Sequence, residues 1–183
     1  MASRARARKA LPLSRVYRIL EPGPVVLLAT SSRGRPNVMP MSWHTMIDFE
    51  PPLVGCVVSD RNHTFDVLRA TRECVIAVPD AGLGRAVVGC GNVSGRRVDK
   101  FRRFGLTPVA ASRVAAPLVA ECWANLECRV VDASLARKYD LFVLEVVAAW
   151  IAPSVRRPRT LHHLGGDRFM VAGETIRLPS RKP

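Results

Sequence analysis

The sequence predicts a mainly β protein, built as a barrel with a few short helices. Short apolar, β-branched runs recur along the chain and are separated by Gly/Pro turn signals. Only two or three brief stretches carry helical spacing, too few for the regular strand–helix alternation of a doubly wound sheet. The chain has 183 residues, 48% of them hydrophobic, which suffices for one domain with a real core.

Residues 1–15 are basic and read as a disordered arm ahead of a domain spanning 16–183. VYRIL (16–20) fits either a short helix or a first strand, and EPGP is a turn. VVLLATS (25–31) is a continuous apolar run, the pattern of a buried strand. SRGRP signals a hairpin. VMPMSWHTMI (38–47) alternates as a second strand, with Pro40 marking an edge, a bulge or a break in pairing. LVGCVVS (53–59) follows a Pro-Pro turn as a third strand. HTFDVLRATRE (63–73) has near-helical spacing, and Asn62 or Thr64 can cap its start. CVIAVP (74–79) is a strand ended by proline. AGLGRAVVGCG is a second short helix ending at a glycine, and DKFRRFG a third fragment. Residues 117–135 begin as a turn and become a strand near Ala124. YDLFVLEVVAAWI (139–151) is a long strand. Residues 162–178 form a final hairpin turning at Gly165–Gly166.

Composition narrows the function. The formal charge is +13, and 24 of the 28 basic residues are Arg, concentrated at the two ends. Such ends read as solvated tails able to touch polyanions. Aromatic residues are sparse and do not interleave with the arginines, which argues against a single-strand stacking platform and against specific nucleic-acid recognition. The longest apolar runs fall far short of a membrane span, and no signal peptide is recognisable, so a cytoplasmic setting is expected. Cys56, Cys74, Cys90, Cys122 and Cys128 include no CxxC pair, and three of them sit inside apolar strand patterns as small hydrophobes. His162 and His163 are adjacent and would face opposite sides of a strand, so they form no metal face; no metal site and no catalytic acid or base is nominated. The G-x-S-x-G elbow is absent.

Three segments carry chemistry. The loop Ser59–Thr64 offers a guanidinium at Arg61, hydroxyls at Ser59 and Thr64, and a helix starting near His63 whose N–H groups would face the same anion. Its bland alternative is a strand-to-helix turn in which Asn62 or Thr64 only caps. GCGNVSGRRVDKF reads as a flexible loop delivering Ser94 and Lys100 to a ligand, or as a surface loop with a solvated lysine. In Asn37–Trp43, Val38 and Ser42 share one face and Met39, Met41 and Trp43 the other. Backbone groups at a broken strand edge there would suit a flat heterocycle. The alternative is an ordinary strand with Trp43 in the core.

Taken in order, PGPVVLLATS, G-x-P-N-V-M, SWHTMIDFEPPLVGCVV, RNHTFDVLRATRECVIAVP, VSGRRVDKFRRFGLTPV, APLVAECWANLECRVV and DLFVLEVV resemble the flavin reductase-like family from about Val16 to Gly173. The resemblance implies a six-stranded antiparallel Greek-key split barrel, a homodimer, and FMN near the dimer interface. It implies NAD(P)H-dependent flavin reduction, or else ferric-complex reduction or flavoredoxin-like electron transfer. A flavin-dependent monooxygenase or another acceptor would be the onward partner. By the same resemblance, Asn37, Val38, Met39, Pro40, Met41, Ser42 and Trp43 line the isoalloxazine and ribityl chain. Ser59, Arg61, His63 and Thr64 hold the phosphate, with Lys100 reaching it from the later loop. Two departures stand out: Asn62 separates Arg61 from His63, and Leu144 stands where glycine is common.

Overall fold

The continuous apolar runs are continuous because their strands are buried on both faces. The computed structural model describes residues 9–16 and 23–179. In β2 (Val26–Ser32), Val26 and Leu28 enter one core, while Leu27 and Ala29 enter another on the opposite face. In β6 (Glu73–Val78), Cys74, Ile76 and Val78 divide from Val75 and Ala77 in the same way. Two-sided burial removes the polar half of the usual strand alternation.

The remaining strands of the main sheet are β1 (Lys9–Ala10), β3 (Arg35–Met41), β4 (His44–Phe49), β5 (Pro52–Val57), β9 (Ala124–Asp132) and β10 (Leu141–Ile151). The sheet is antiparallel throughout, in the order β3-β2-β6-β9-β10-β5-β4, with β1 pairing β10. Its two ends, β3 and β4, are consecutive in the chain and separated only by Ser42 and Trp43. Seven strands at about 4.8 Å spacing can have ends so close only if the sheet curls. The expected single strand over 38–47 is therefore two strands. β3 pairs β2, β4 pairs β5, and the chain changes partner at Ser42–Trp43. Among the described residues that split, with β1, makes eight strands in the sheet where six were expected.

Inside the curl lies the larger core, with Leu126, Phe142, Leu144 and Val146. Leu144, expected as a departure, is fully buried there. Helix α1 (His63–Thr71) closes this core, and its Phe65 meets Phe142 edge to face at 5.4 Å. The outer core is covered by α2 (Gly84–Gly91), by α3 (Lys100–Arg103) and by the hairpin of β11 (Leu161–His163) and β12 (Phe169–Val171). A short ladder of β7 (Pro108–Val109) and β8 (Leu118–Val119) completes it. The hairpin turns at Gly165–Gly166 as expected. The long strand starts at Leu141 rather than 139. Residues Ala136–Tyr139 form helix α4, which ends at left-handed Asp140.

The stretch expected as a disordered arm joins the fold from Lys9. Lys9 and Ala10 pair Ile151 and Trp150, the Leu11 N–H donates to Ala149 O at 2.8 Å, and Val16 is fully buried. Residues 1–8 and the VYRIL expectation beyond Val16 lie outside the described residues. All five cysteines are buried, and Cys56, Cys74, Cys90 and Cys128 are free thiols. Among the described residues no helix is long and apolar enough to cross a membrane, and no cluster could hold a metal ion.

Candidate functional site

The expected capping of α1 is not made. Asn62 occupies the N-cap position, but its side chain bonds no backbone N–H of the first turn. Thr64 instead accepts from Asn37 Nδ2 at 2.9 Å, in a bond buried between β3 and α1. The N–H groups of His63 and Thr64 consequently have no partner among the described residues. An uncapped helix start concentrates partial positive charge and free donors.

That helix start opens on a polar cleft of about 440 Å³. β3 supplies Asn37, Met39 and Pro40, and the approach to α1 supplies Arg61, Asn62, His63 and Thr64. The end of α2 and the following loop add Ser94 and Gly95, and the first residue of α3 adds Lys100. Lys100 is no solvated surface lysine. It is only 5% exposed, and its ammonium donates to Cys90 O, a C-terminal carbonyl of α2, at 2.8 Å. Burial lowers its pKa from the ordinary lysine value, opposed by the neighbouring Cys90. Burial in turn pushes the Cys90 thiol up to about 11. His63 is held below the ordinary histidine value, first by burial and then by the positive charges of Arg96 and Lys100.

The loop between α2 and α3 is pinned rather than loose. Arg96 bonds Asp66 on α1 at 2.5 Å, and the N–H groups of Arg97 and Val98 both donate to Ser94 O at 3.1 Å. Gly95 lies so close to β3 that a Cβ there would come within 2.0 Å of Asn37 Oδ1. That oxygen, a buried acceptor, and the buried ring nitrogen His63 Nδ1 have no partners among the described residues.

A second cleft, of about 280 Å³, adjoins the first through Pro40, Gly91 and Asn92. Met41 and Ser42 line it, facing Val87, His163 and Phe169. The structure thus brings together Asn37, Met39, Pro40, Arg61, His63, Thr64, Ser94 and Lys100, with Met41 and Ser42 next door. Three expected residues stand apart. The Val38 side chain is fully buried in the outer core, and Trp43 is 71% exposed, so neither faces the clefts. Ser59 lines neither cleft; its hydroxyl accepts from the Arg61 N–H at 3.4 Å and shapes the turn. Sequence reasoning missed Gly95, Asn92, Val87, His163 and Phe169. Gly95 had a signal in its Ser-Gly turn; the others meet the site only through tertiary packing.

The profile of the family described as "Flavin reductase like domain" matches residues 18–171. The chain belongs to that family. Among its relatives is the uncharacterized protein YddH of Escherichia coli K12, 32% identical over 180 residues, covering 91% of this chain and 95% of that protein. Among solved structures, it is similar to the FMN-binding domain of a flavin reductases-like enzyme from Shewanella baltica OS155. The TM-score is 0.90 at 27% identity, covering 97% of this chain and all of that one. The flavoredoxin of Desulfovibrio vulgaris (Miyazaki F) shares the fold, with a TM-score of 0.80 at 23% identity and coverages of 87% and 92%. The expected family and the mainly β split-barrel class are thereby established.

Proposed function

We propose that the protein binds FMN and acts as an NAD(P)H-dependent flavin reductase. The observation that carries this reading is the uncapped start of α1, facing a polar cleft beside Arg61 and the buried Lys100. Two backbone donors, a guanidinium and an ammonium converging on one space suit a phosphate dianion. Asn37 Oδ1, a buried acceptor left unpaired, suits a ligand hydroxyl such as those of a ribityl chain. The adjoining cleft at Met41, Ser42 and His163 is the space for a flat ring system.

Bound FMN would supply the redox chemistry, accepting hydride from a nicotinamide and releasing electrons to an acceptor. The chain's own work is binding and positioning. Lys100 and Arg61 offset phosphate charge, Asn37 and Thr64 fix β3 against α1, and the pinned loop at Ser94–Arg96 covers the phosphate side. The apolar walls at Val87 and Phe169 limit water near the ring. No side chain is assigned a proton-transfer role. The reduced flavin would serve a flavin-dependent monooxygenase or another electron acceptor.

The same reading makes the protein a cytoplasmic homodimer. The free, buried thiols of Cys56, Cys74, Cys90 and Cys128 fit a reducing compartment. β4 ends the strand path and, with the adjoining turn, exposes Trp43, Ile47 and Phe49 at 71%, 52% and 57%, an apolar edge suited to a second copy. A monomeric mass by light scattering would overturn the dimer. For the activity, NADH or NADPH oxidation is followed with and without added FMN. Flavin-dependent turnover is expected. Tight flavin binding with negligible turnover would replace the reductase by an electron carrier.

A further inference from the structure

Beyond Asn37, His63 and Gly95 the phosphate cleft continues into another, of about 730 Å³, bounded by the tip of the β2–β3 hairpin. Its charged lining is Arg33, Arg35 and Arg96, and among the described residues no acidic side chain contributes to it. Arg96 is engaged with Asp66. Arg33 and Arg35 are exposed and, among the described residues, have no carboxylate partner. The backbone adds an independent observation. Ser32 pairs Arg35, so Arg33 and Gly34 form a two-residue turn, and both have positive φ, at 50° and 74°. Such a turn favours Asn, Asp or Gly at its first position. Here the chain holds a long cationic side chain in a strained conformation, at the position that lines the cleft.

We infer that the Arg33–Arg35 cleft is a second anion subsite, taking a phosphate group beyond the one held by Arg61, Lys100 and the start of α1. This rests on the function proposed above. Two unneutralised guanidinium forks match phosphate oxygens and draw phosphorylated ligands to the cleft mouth. Two ligands of the proposed reaction carry such an extra group. One is a flavin extended by an adenylate, FAD, whose second phosphate is joined to the first. The other is NADPH, through its 2′-phosphate.

The test variant is Arg33→Asn with Arg35→Thr. Asn suits the positive φ and Thr suits the strand start, so the hairpin is preserved. FMN and FAD are titrated by flavin fluorescence, and KM is measured for NADH and NADPH, at about 0.15 M salt to screen long-range charge. FMN affinity is expected to stay within about twofold while either the FAD Kd or the NADPH KM rises by about tenfold or more. A loss confined to FAD assigns the group to the adenylate; a loss confined to NADPH, with NADH unchanged, assigns it to the 2′-phosphate. Unchanged FAD and NADPH would overturn the subsite, and so would FMN weakened in step with FAD. A wild-type protein that binds no FMN would instead refute the proposed function, and the subsite with it.

Discussion

Replacing Gly95 by alanine adds one methyl group at the tightest contact of the site. Its Cβ would lie 2.0 Å from Asn37 Oδ1 and 2.6 Å from Asn37 Cγ, where ordinary contact begins at 3.4 Å. Gly95 does not have positive φ, so the backbone accepts alanine and the effect is steric. Asn37 cannot yield freely. It is 5% exposed and holds Thr64 through a 2.9 Å bond. Either that bond breaks or the loop carrying Ser94 and Arg96 lifts away from β3. Stranding a buried polar group costs about 1–3 kcal/mol, which is roughly 5- to 150-fold in an equilibrium constant. FMN titration by fluorescence quenching should therefore show Kd raised by about 10- to 100-fold, with Tm lowered by about 2–12 °C. In an Asn37→Ala background the clash is gone, and Gly95→Ala should add little. FMN affinity within about twofold of wild type in the folded single variant would refute the placement of the flavin beside Asn37 and Gly95.

Arg61→Ala with Lys100→Ala removes two charge-assisted partners of the phosphate and should weaken FMN by about 3 kcal/mol or more while leaving riboflavin binding unchanged. Equal losses for both flavins would show that the phosphate lies elsewhere. Glu127, which exposes no surface, accepts from the Ser112 N–H and hydroxyl, the Arg113 N–H and Trp150 Nε1. Glu127→Gln turns an amide N–H₂ toward those donors and should cost about 2–4 kcal/mol in urea unfolding. Burial alone would raise the Glu127 carboxyl, but these hydrogen bonds outweigh it and hold the group below its ordinary 4.5. Its contribution is thus complete above pH 4.5 and lost as pH falls through the depressed value, so the glutamine variant should show a flatter acid limb. His44 is held below its ordinary 6.5 by burial, against the opposing bond of its Nε2 to Pro24 O at 2.7 Å. The sign is the same: stability is full above pH 6.5 and falls as pH drops through the folded value, and His44→Gln should reduce that loss. His63 adds a shift of the same direction, so His63→Gln is measured alongside; an unchanged pH profile in both variants would contradict the assignment.

What was legible in the sequence was whatever leaves a local pattern. β2 and β6 showed as apolar runs because both faces of each are buried. The turn at Gly165–Gly166 showed because glycine pairs mark positive φ. The break at Ser42–Trp43 was not legible. Apolar–polar alternation runs on through Pro40 and Trp43, and the strand divides because its partner changes from β2 to β5, a fact of topology. Trp43 is exposed for the same reason: it sits at the corner, not on a paired strand. Lys9 and Ala10 gave no signal, since a two-residue strand has no period and its pairing with β10 is purely long-range. In the site, Arg61, His63 and Thr64 were legible as chemistry. The burial of Lys100 and the contact of Gly95 with Asn37 were not, because each depends on segments distant in the chain. Asn62 was misleading: it looks like a cap and stands at the cap position, yet its side chain leaves the helix start open.

The central claim is that this chain carries a flavin. The most direct test is an absorbance spectrum from about 300 to 550 nm, taken after the protein is mixed with FMN and desalted. Flavin bands should co-elute with the protein and be released as free FMN on denaturation. A protein that elutes without flavin, and that leaves FMN fluorescence unquenched in titration, would contradict it.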